Sequence, residues 1–369
     1  MTPIRLAVVG AGHLGRVHAR IAKGLEGVEL VGIVDPVPAA REAVAAEHGT
    51  SSFADHREVL GRVDAAVIAT PTRFHHAVAC ELLEAGIHLL VEKPLASSLL
   101  EADEMVALAD RCGRVLQVGH VERFNPALTA ALPHIRDPKY IECCRAGVFS
   151  FRSTDIGVVH DLMIHDLDLI LALVRSPVRR IDALGISVFG THEDVAHARL
   201  EFENGCVATM AASRASYAAV RTMQVWSAGG FASLDFGTRK TTVVRPSETL
   251  QRREVRIEDL TPEQVTHMKE HLFEDWLAVE HPPVEACDQI TAEQVDFAAS
   301  IRAGRAPRVD GRQAREALAV AEQILAAIDS HAWDGTPSGR VGKFAVPATV
   351  RGPHWHLSPQ HTPVERKAG

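Results

Sequence analysis

The stretch Ile4-Arg5-Leu6-Ala7-Val8-Val9-Gly10-Ala11-Gly12-His13-Leu14-Gly15 decides the fold. A β-type apolar run passes straight into a glycine turn, and Leu14, Val17, Ile21 and Leu25 then recur at helical spacing. A strand feeding a glycine turn that opens a helix can hold a dinucleotide pyrophosphate on backbone N–H groups, here those around Gly12, His13 and Leu14. The three glycines differ in what they allow. Gly10 makes the turn, Gly12 permits close approach of the pyrophosphate, and Gly15 lets the helix pack on the strand. Asp35 follows twenty residues after Gly15, at the end of the next apolar run, where a carboxylate can accept from the adenosine ribose hydroxyls. It repels a 2′-phosphate, which favours NAD over NADP, although Arg41 lies a helical turn on and could still meet one.

Outward from this motif the chain alternates. Apolar β-type runs at 4–9, 28–34, 64–69, 87–91 and 115–119 are separated by stretches that accept helices, including 98–112, where Ser98 and Glu101 form a candidate capping box. Nearly continuous apolar strands between helices predict an α/β doubly wound parallel sheet covered on both faces. The run ending at Ala69 delivers Thr70 and Pro71 to the cofactor edge, with His75 close behind. Adjacent His75 and His76 diverge and have no third ligand near in sequence, so no metal is expected. The run Ile87-His88-Leu89-Leu90-Val91 delivers Glu92-Lys93-Pro94 to the same carboxyl edge. An ammonium there can orient a substrate hydroxyl and stabilise developing alkoxide charge beside a nicotinamide.

Beyond Arg123-Phe124-Asn125-Pro126 the rhythm changes. One helix-like segment, about 156–174, precedes strand-like runs at 179–189, 194–203, 206–213, 222–227 and 231–236, which predict a second, α+β domain on a large, mostly antiparallel open-faced sheet. Residues 238–285 are charged and poorly patterned and read as an excursion from that sheet; Ala314–Ile328 reads as a closing helix. The division expected is 1–122 for the NAD-binding Rossmann domain, 123–332 for the substrate and oligomerisation domain, and 333–369 for an extended or disordered tail.

The helix-like segment carries His160-Asp161-Leu162-Met163-Ile164-His165-Asp166-Leu167-Asp168. So many ionisable groups among Leu, Ile and Met suit a helix that lines a site. Asp161 and His165 share a helical face, histidine suits a base working at neutral pH, and Asp161 can fix the imidazole or share its proton. A helix N-terminus whose acids simply favour its dipole is the plainer alternative.

Composition excludes little and narrows much. With 369 residues, a net charge of −8 and 46% hydrophobic residues, the chain suits two soluble domains and has no basic excess for nucleic acid. It carries no apolar run of membrane-spanning length, and Met1 leads into the first strand without a signal-peptide core. Six scattered cysteines read as reduced thiols, so a cytoplasmic location is expected.

The glycine motif, Glu92-Lys93-Pro94, the Asp161-x3-His165 spacing and Ile301-Arg302-Ala303-Gly304-Arg305-Ala306-Pro307 together resemble the Gfo/Idh/MocA oxidoreductases. The resemblance implies a homodimer or homotetramer built through the C-terminal sheet, a cis Lys93–Pro94 bond, and Lys93 and His165 as catalytic residues with Asp161 assisting. A finer likeness lies in Val118-Gly119-His120-Val121-Glu122-Arg123-Phe124-Asn125-Pro126 and in Gly157-Val158-Val159-His160-Asp161. It points to the branch that oxidises the 3-hydroxyl of UDP-N-acetylglucosamine, with Arg123, Asn125 and Arg152 joining Lys93, Asp161 and His165 as candidate substrate contacts. An inositol or free-sugar dehydrogenase is the alternative within the family. A non-catalytic dinucleotide sensor is the alternative outside catalysis.

Overall fold

The computed structural model describes residues 2–151, 156–333 and 339–344. The N-terminal alternation closes into six strands: β1 (Ile4–Val9), β2 (Val28–Val34), β3 (Ser51–Phe53), β4 (Ala65–Ile68), β5 (His88–Val91) and β6 (Leu116–Val118). They lie in the order β3-β2-β1-β4-β5-β6, and every pair is parallel. Crossovers run through α1 (His13–Gly24), α2 (Pro38–His48), α3 (His75–Glu84) and α4 (Leu99–Cys112). Strand alternation explains the unbroken apolar runs: Ala7 and Val9 join the core under α3 and α4, while Leu6 and Val8 join the core under α1 and α2. The order reverses between β1 and β4, which opens a crevice at the carboxyl edge.

The second sheet has eight strands: β7 (Pro138–Ala146), β8 (Val178–Ile186), β9 (Val195–Phe202), β10 (Val207–Ser213), β11 (Val220–Ser227), β12 (Gly230–Asp235), β13 (Lys240–Pro246) and β14 (Leu277–Glu280). Their order is β14-β13-β12-β11-β7-β10-β9-β8, antiparallel except for β7 beside β10. One face is sealed by α5 (Pro126–Ala131) and α6 (Ile164–Val174); the other leaves Tyr140, Trp226 and Phe231 half-buried in a row of ring contacts.

Four details differ from what the sequence suggests. The excursion holds only for the segment between β13 and β14, which carries α7 (Glu248–Gln251) and α8 (Pro262–Glu270); its two ends are strands of the sheet. The run holding β7 gives no apolar alternation because Arg145 occupies an inward position beside Ile141 and Cys143. The segment at 156–174 is not uniform: a π-turn at Val159–Met163 precedes α6. The Ser98 cap forms on Glu101 N–H, while Glu101 reaches the Ser97 N–H instead of closing the box on Ser98.

Two C-terminal helices return to the first sheet. Phe297 and Ala298 of α9 (Gln289–Ala303) enter the core beside α1. In α10 (Gly311–Ser330), Ala314 and Leu318 pack in the first core, whereas Val320, Ala321, Ile324 and Ile328 pack in the second. One helix therefore belongs to both cores and ties the two sheets together. Past it, Ala332 pairs with Val341, and Trp333 Nε1 donates to Gly342 O at 3.0 Å. The rest of the expected tail lies outside the described residues. Among the described residues no helix is long and apolar enough to cross a membrane.

Candidate active site

The glycine turn has the shape required of a dinucleotide cradle. Gly10 sits at φ +106°, a left-handed conformation, with the Ala69–Thr70 backbone against the place a Cβ would occupy. A Cβ on Gly15 would strike the Gly10 carbonyl, whereas one on Gly12 would meet nothing within 4 Å. Gly12 N-caps α1 without a side-chain cap, the first turn holds no acid, and His13 and Leu14 are exposed. The helix N–H groups therefore open on unfilled space at the positive end of its dipole, and the residues present fit a dinucleotide pyrophosphate. Asp35 braces the turn, its two oxygens accepting from Ala11 N–H and Val37 N–H, each at 2.8 Å. Arg41 turns to the Asp35 and Pro36 carbonyls at 3.3 Å. Thr70 and Pro71 border the same crevice, and the Thr70 hydroxyl is buried without a partner.

Lys93 leaves the end of β5 through a cis bond to Pro94. Its ammonium donates to the Asp161 main-chain carbonyl at 2.7 Å and to Asp161 Oδ1 at 3.0 Å. Asp161 sits in the π-turn, which presents both its carbonyl and its carboxylate to the lysine. Glu193 holds the turn in place by accepting from Val159 N–H at 3.1 Å, and its carboxylate fills the position of a Cβ on Gly157.

His165 follows on α6, partly exposed, with Nδ1 buried and unpartnered and Nε2 left as the open nitrogen. Burial pushes its imidazole well below the ordinary histidine value, and the charges of Lys93 and Arg145 add to that effect. His165 is thus neutral at pH 7, the state a proton acceptor needs. Beneath it, Arg145 is buried, with bonds of 2.7 Å to Asp166 Oδ1 and 2.8 Å to Glu122 Oε1. Burial alone would lower the Arg145 guanidinium, but Asp166 and Glu122 hold it above its ordinary value, so it stays charged.

Four residues expected at the site stand in a different role. Arg123 is committed to Asp168, donating from Nε at 2.7 Å and from Nη2 at 3.2 Å, which occupies that edge of its guanidinium. Asn125 is fully buried; its Oδ1 caps Ala127 N–H while its amide meets Glu122 and Phe236. His75 is 1% exposed, with its ring nitrogens against the Pro94 and Thr70 carbonyls at 3.0 and 2.9 Å. It ties two cofactor-edge loops together and cannot itself reach a ligand. Glu92 turns beneath the site, where Oε1 lies 2.8 Å from His18 Nε2. Despite burial, that bond and the charges of His18 and Lys93 hold the Glu92 carboxyl below its usual value. Arg152 lies outside the described residues.

The structure also brings in His18, Arg145, Glu193 and His120. Only His120 stood in a motif the sequence singled out. The others act through partners 74, 21 and 34 residues away, a separation no local pattern reports.

A glycine-turn Rossmann domain whose edge lysine meets an acid and a histidine from a second sheet domain defines a two-domain nicotinamide-dependent oxidoreductase. The family model for the oxidoreductase family with an NAD-binding Rossmann fold matches residues 4–120, and that for the GFO/IDH/MocA C-terminal domain matches residues 140–232. The chain belongs to the Gfo/Idh/MocA family of NAD-binding oxidoreductases. It is 33% identical over 336 residues to the UDP-N-acetylglucosamine 3-dehydrogenase of Acidithiobacillus ferrooxidans, covering 89% of this chain and 99% of the relative. A solved structure of that dehydrogenase superposes with a TM-score of 0.78 over 89% of this chain and 98% of the other. The scyllo-inositol 2-dehydrogenase (NAD(+)) of Bacillus subtilis is 31% identical over 58% of this chain and 68% of its own length.

Proposed function

We propose that this protein oxidises a secondary hydroxyl of a sugar, the 3-hydroxyl of a UDP-N-acetylhexosamine, using NAD. The observation that carries the reading is the Lys93 ammonium, clasped by Asp161 next to a half-buried, neutral His165. Bound at the glycine turn, NAD supplies the acceptor for the hydride that leaves the carbinol carbon. His165 Nε2 takes the hydroxyl proton, and Lys93 donates to the same oxygen as it gains alkoxide character. Asp161 fixes where the ammonium points and balances its charge in the absence of substrate. A non-catalytic sensor has no use for either group. Near full-length similarity to a nucleotide-sugar dehydrogenase supports the substrate class.

The test is NADH formation with UDP-N-acetylglucosamine, N-acetylglucosamine and myo-inositol in parallel. Turnover of the nucleotide sugar at the highest kcat/KM is expected. Preference for myo-inositol would replace the substrate assignment, and no turnover of any polyol would end the catalytic one.

The pH profile follows from the His165 shift. A base works when unprotonated, so activity is lost as pH falls through its pKa, which lies well below 6.5. The acid limb of kcat/KM is therefore expected below pH 6.5, with a flat region from there through neutrality. A limb centred at pH 7 or higher would remove His165 from the base role.

The half-buried Tyr140-Trp226-Phe231 row marks the open sheet face as the proposed contact between two copies of the chain. Trp226→Glu should then convert the oligomer to a monomer by light scattering. An unchanged mass would place the subunit contact elsewhere.

A further inference from the structure

His120 sits in the turn after β6, with its ring 1% exposed and neither nitrogen bonded to the protein. Its nearest aromatic neighbour is His165, edge-on at 85° with ring centroids 6.3 Å apart. His165 Nδ1 is likewise buried without a partner. Two neighbouring imidazoles thus carry three buried nitrogens without a hydrogen-bond partner. Native interiors pair such groups, and a neutral imidazole must donate from one nitrogen and accept at the other. A centroid separation of 6.3 Å is compatible with one bridging oxygen between a nitrogen of each ring.

We propose that His120 is the positioning residue of His165: a single bridging water joins His120 to His165 Nδ1 and holds the proton there. The lone pair of His165 then stays on Nε2, facing the substrate hydroxyl. This is the part that an acid plays behind the base in hydrolase triads, performed here by a second histidine through water. The reading rests on His165 being the base. The surroundings suit a neutral partner. His120 faces Asp168 of α6, Arg123 of the following turn, and Lys93 and Glu92 after β5; His165 faces Lys93, Arg145 of β7 and Arg221 of β11. Burial holds both rings below the ordinary histidine value, with opposing charges around His120 and positive charge around His165.

Two variants separate this role from mere packing. His120→Phe fills the space without a polar atom, and His120→Gln keeps a hydrogen-bonding end. Both are first checked for NADH binding by fluorescence. Nitrogen-15 histidine spectra, with His165 assigned by its loss in His165→Gln, read the tautomer without requiring turnover. His120→Phe should spread His165 over both tautomers and lower kcat about tenfold or more, with KM little changed and His120→Gln recovering part of the loss. An NADH-binding His120→Phe protein whose His165 signals and kcat match wild type would overturn the proposal. If no sugar is oxidised even by wild type, the substrate reading falls, while a tautomer change in His120→Phe still upholds the positioning pair.

Discussion

Lys93→Met is expected to lower kcat/KM by roughly 10²–10³-fold, the scale of removing one donor from a developing oxyanion, while NADH affinity stays close to wild type. Methionine keeps the length of the side chain and deletes its charge. The partner left behind, Asp161, has a side chain 24% exposed, so water can solvate it and the fold should survive. NADH affinity should hold because the pyrophosphate cradle is made of backbone at Gly10–Leu14, on the far side of β4 from Lys93. A second signature separates this account from simple damage. Lys93 is one of the charges that depress His165, so its removal lets the imidazole rise. The acid limb of the residual activity should then move toward neutral pH. Stopped turnover with lost NADH binding, or a variant with near-normal kcat/KM, would mean that Lys93 has been given the wrong role.

What was legible in the sequence and what was not divide along one line. The parallel sheet could be read because strands buried on both faces, such as β4 with Ala65, Ala66, Val67 and Ile68, leave unbroken apolar runs. Lys93, Asp161 and His165 could be read because ionisable groups interrupt such runs and polar cost demands a reason. The internal engagement of Arg123 and Asn125 was not legible for the converse reason: chemistry able to bind a phosphate or a sugar binds equally well to the protein's own Asp168 and Glu122. Which acceptor is met depends on residues up to 111 positions away. The strands β13 and β14 stayed hidden because they lie at one edge of the sheet, where much of their surface remains accessible and little apolar pattern is required.

Arg145→Met should destabilise the protein by about 3–5 kcal/mol, the range for removing one partner of a buried ion pair. The Arg145 side chain is 4% exposed, and those of Glu122 and Asp166 are 7% and 2% exposed, so water cannot replace the guanidinium. Burial already raises Asp166 above the ordinary carboxyl value, and Arg145 is the main opposing influence. Without it Asp166 rises further and takes up a proton in the folded state. A group whose folded pKa exceeds its unfolded one contributes stability below the unfolded value and loses it as pH rises through the folded value. The deficit of the variant should therefore be smaller near pH 5 than near pH 8, whereas loss of a surface pair, whose carboxylate is ionised at both pH values, would leave the deficit nearly unchanged between them. Denaturant unfolding at both pH values measures it. A loss within about 0.5 kcal/mol, as at ordinary surface sites, would refute the buried-pair account. Adding Asp166→Leu and Glu122→Gln to the variant removes the stranded carboxylates and should recover most of the stability without recovering catalysis. Arg145 also helps to keep His165 neutral, so the network under the site supports the base electrostatically as well as the sheet mechanically.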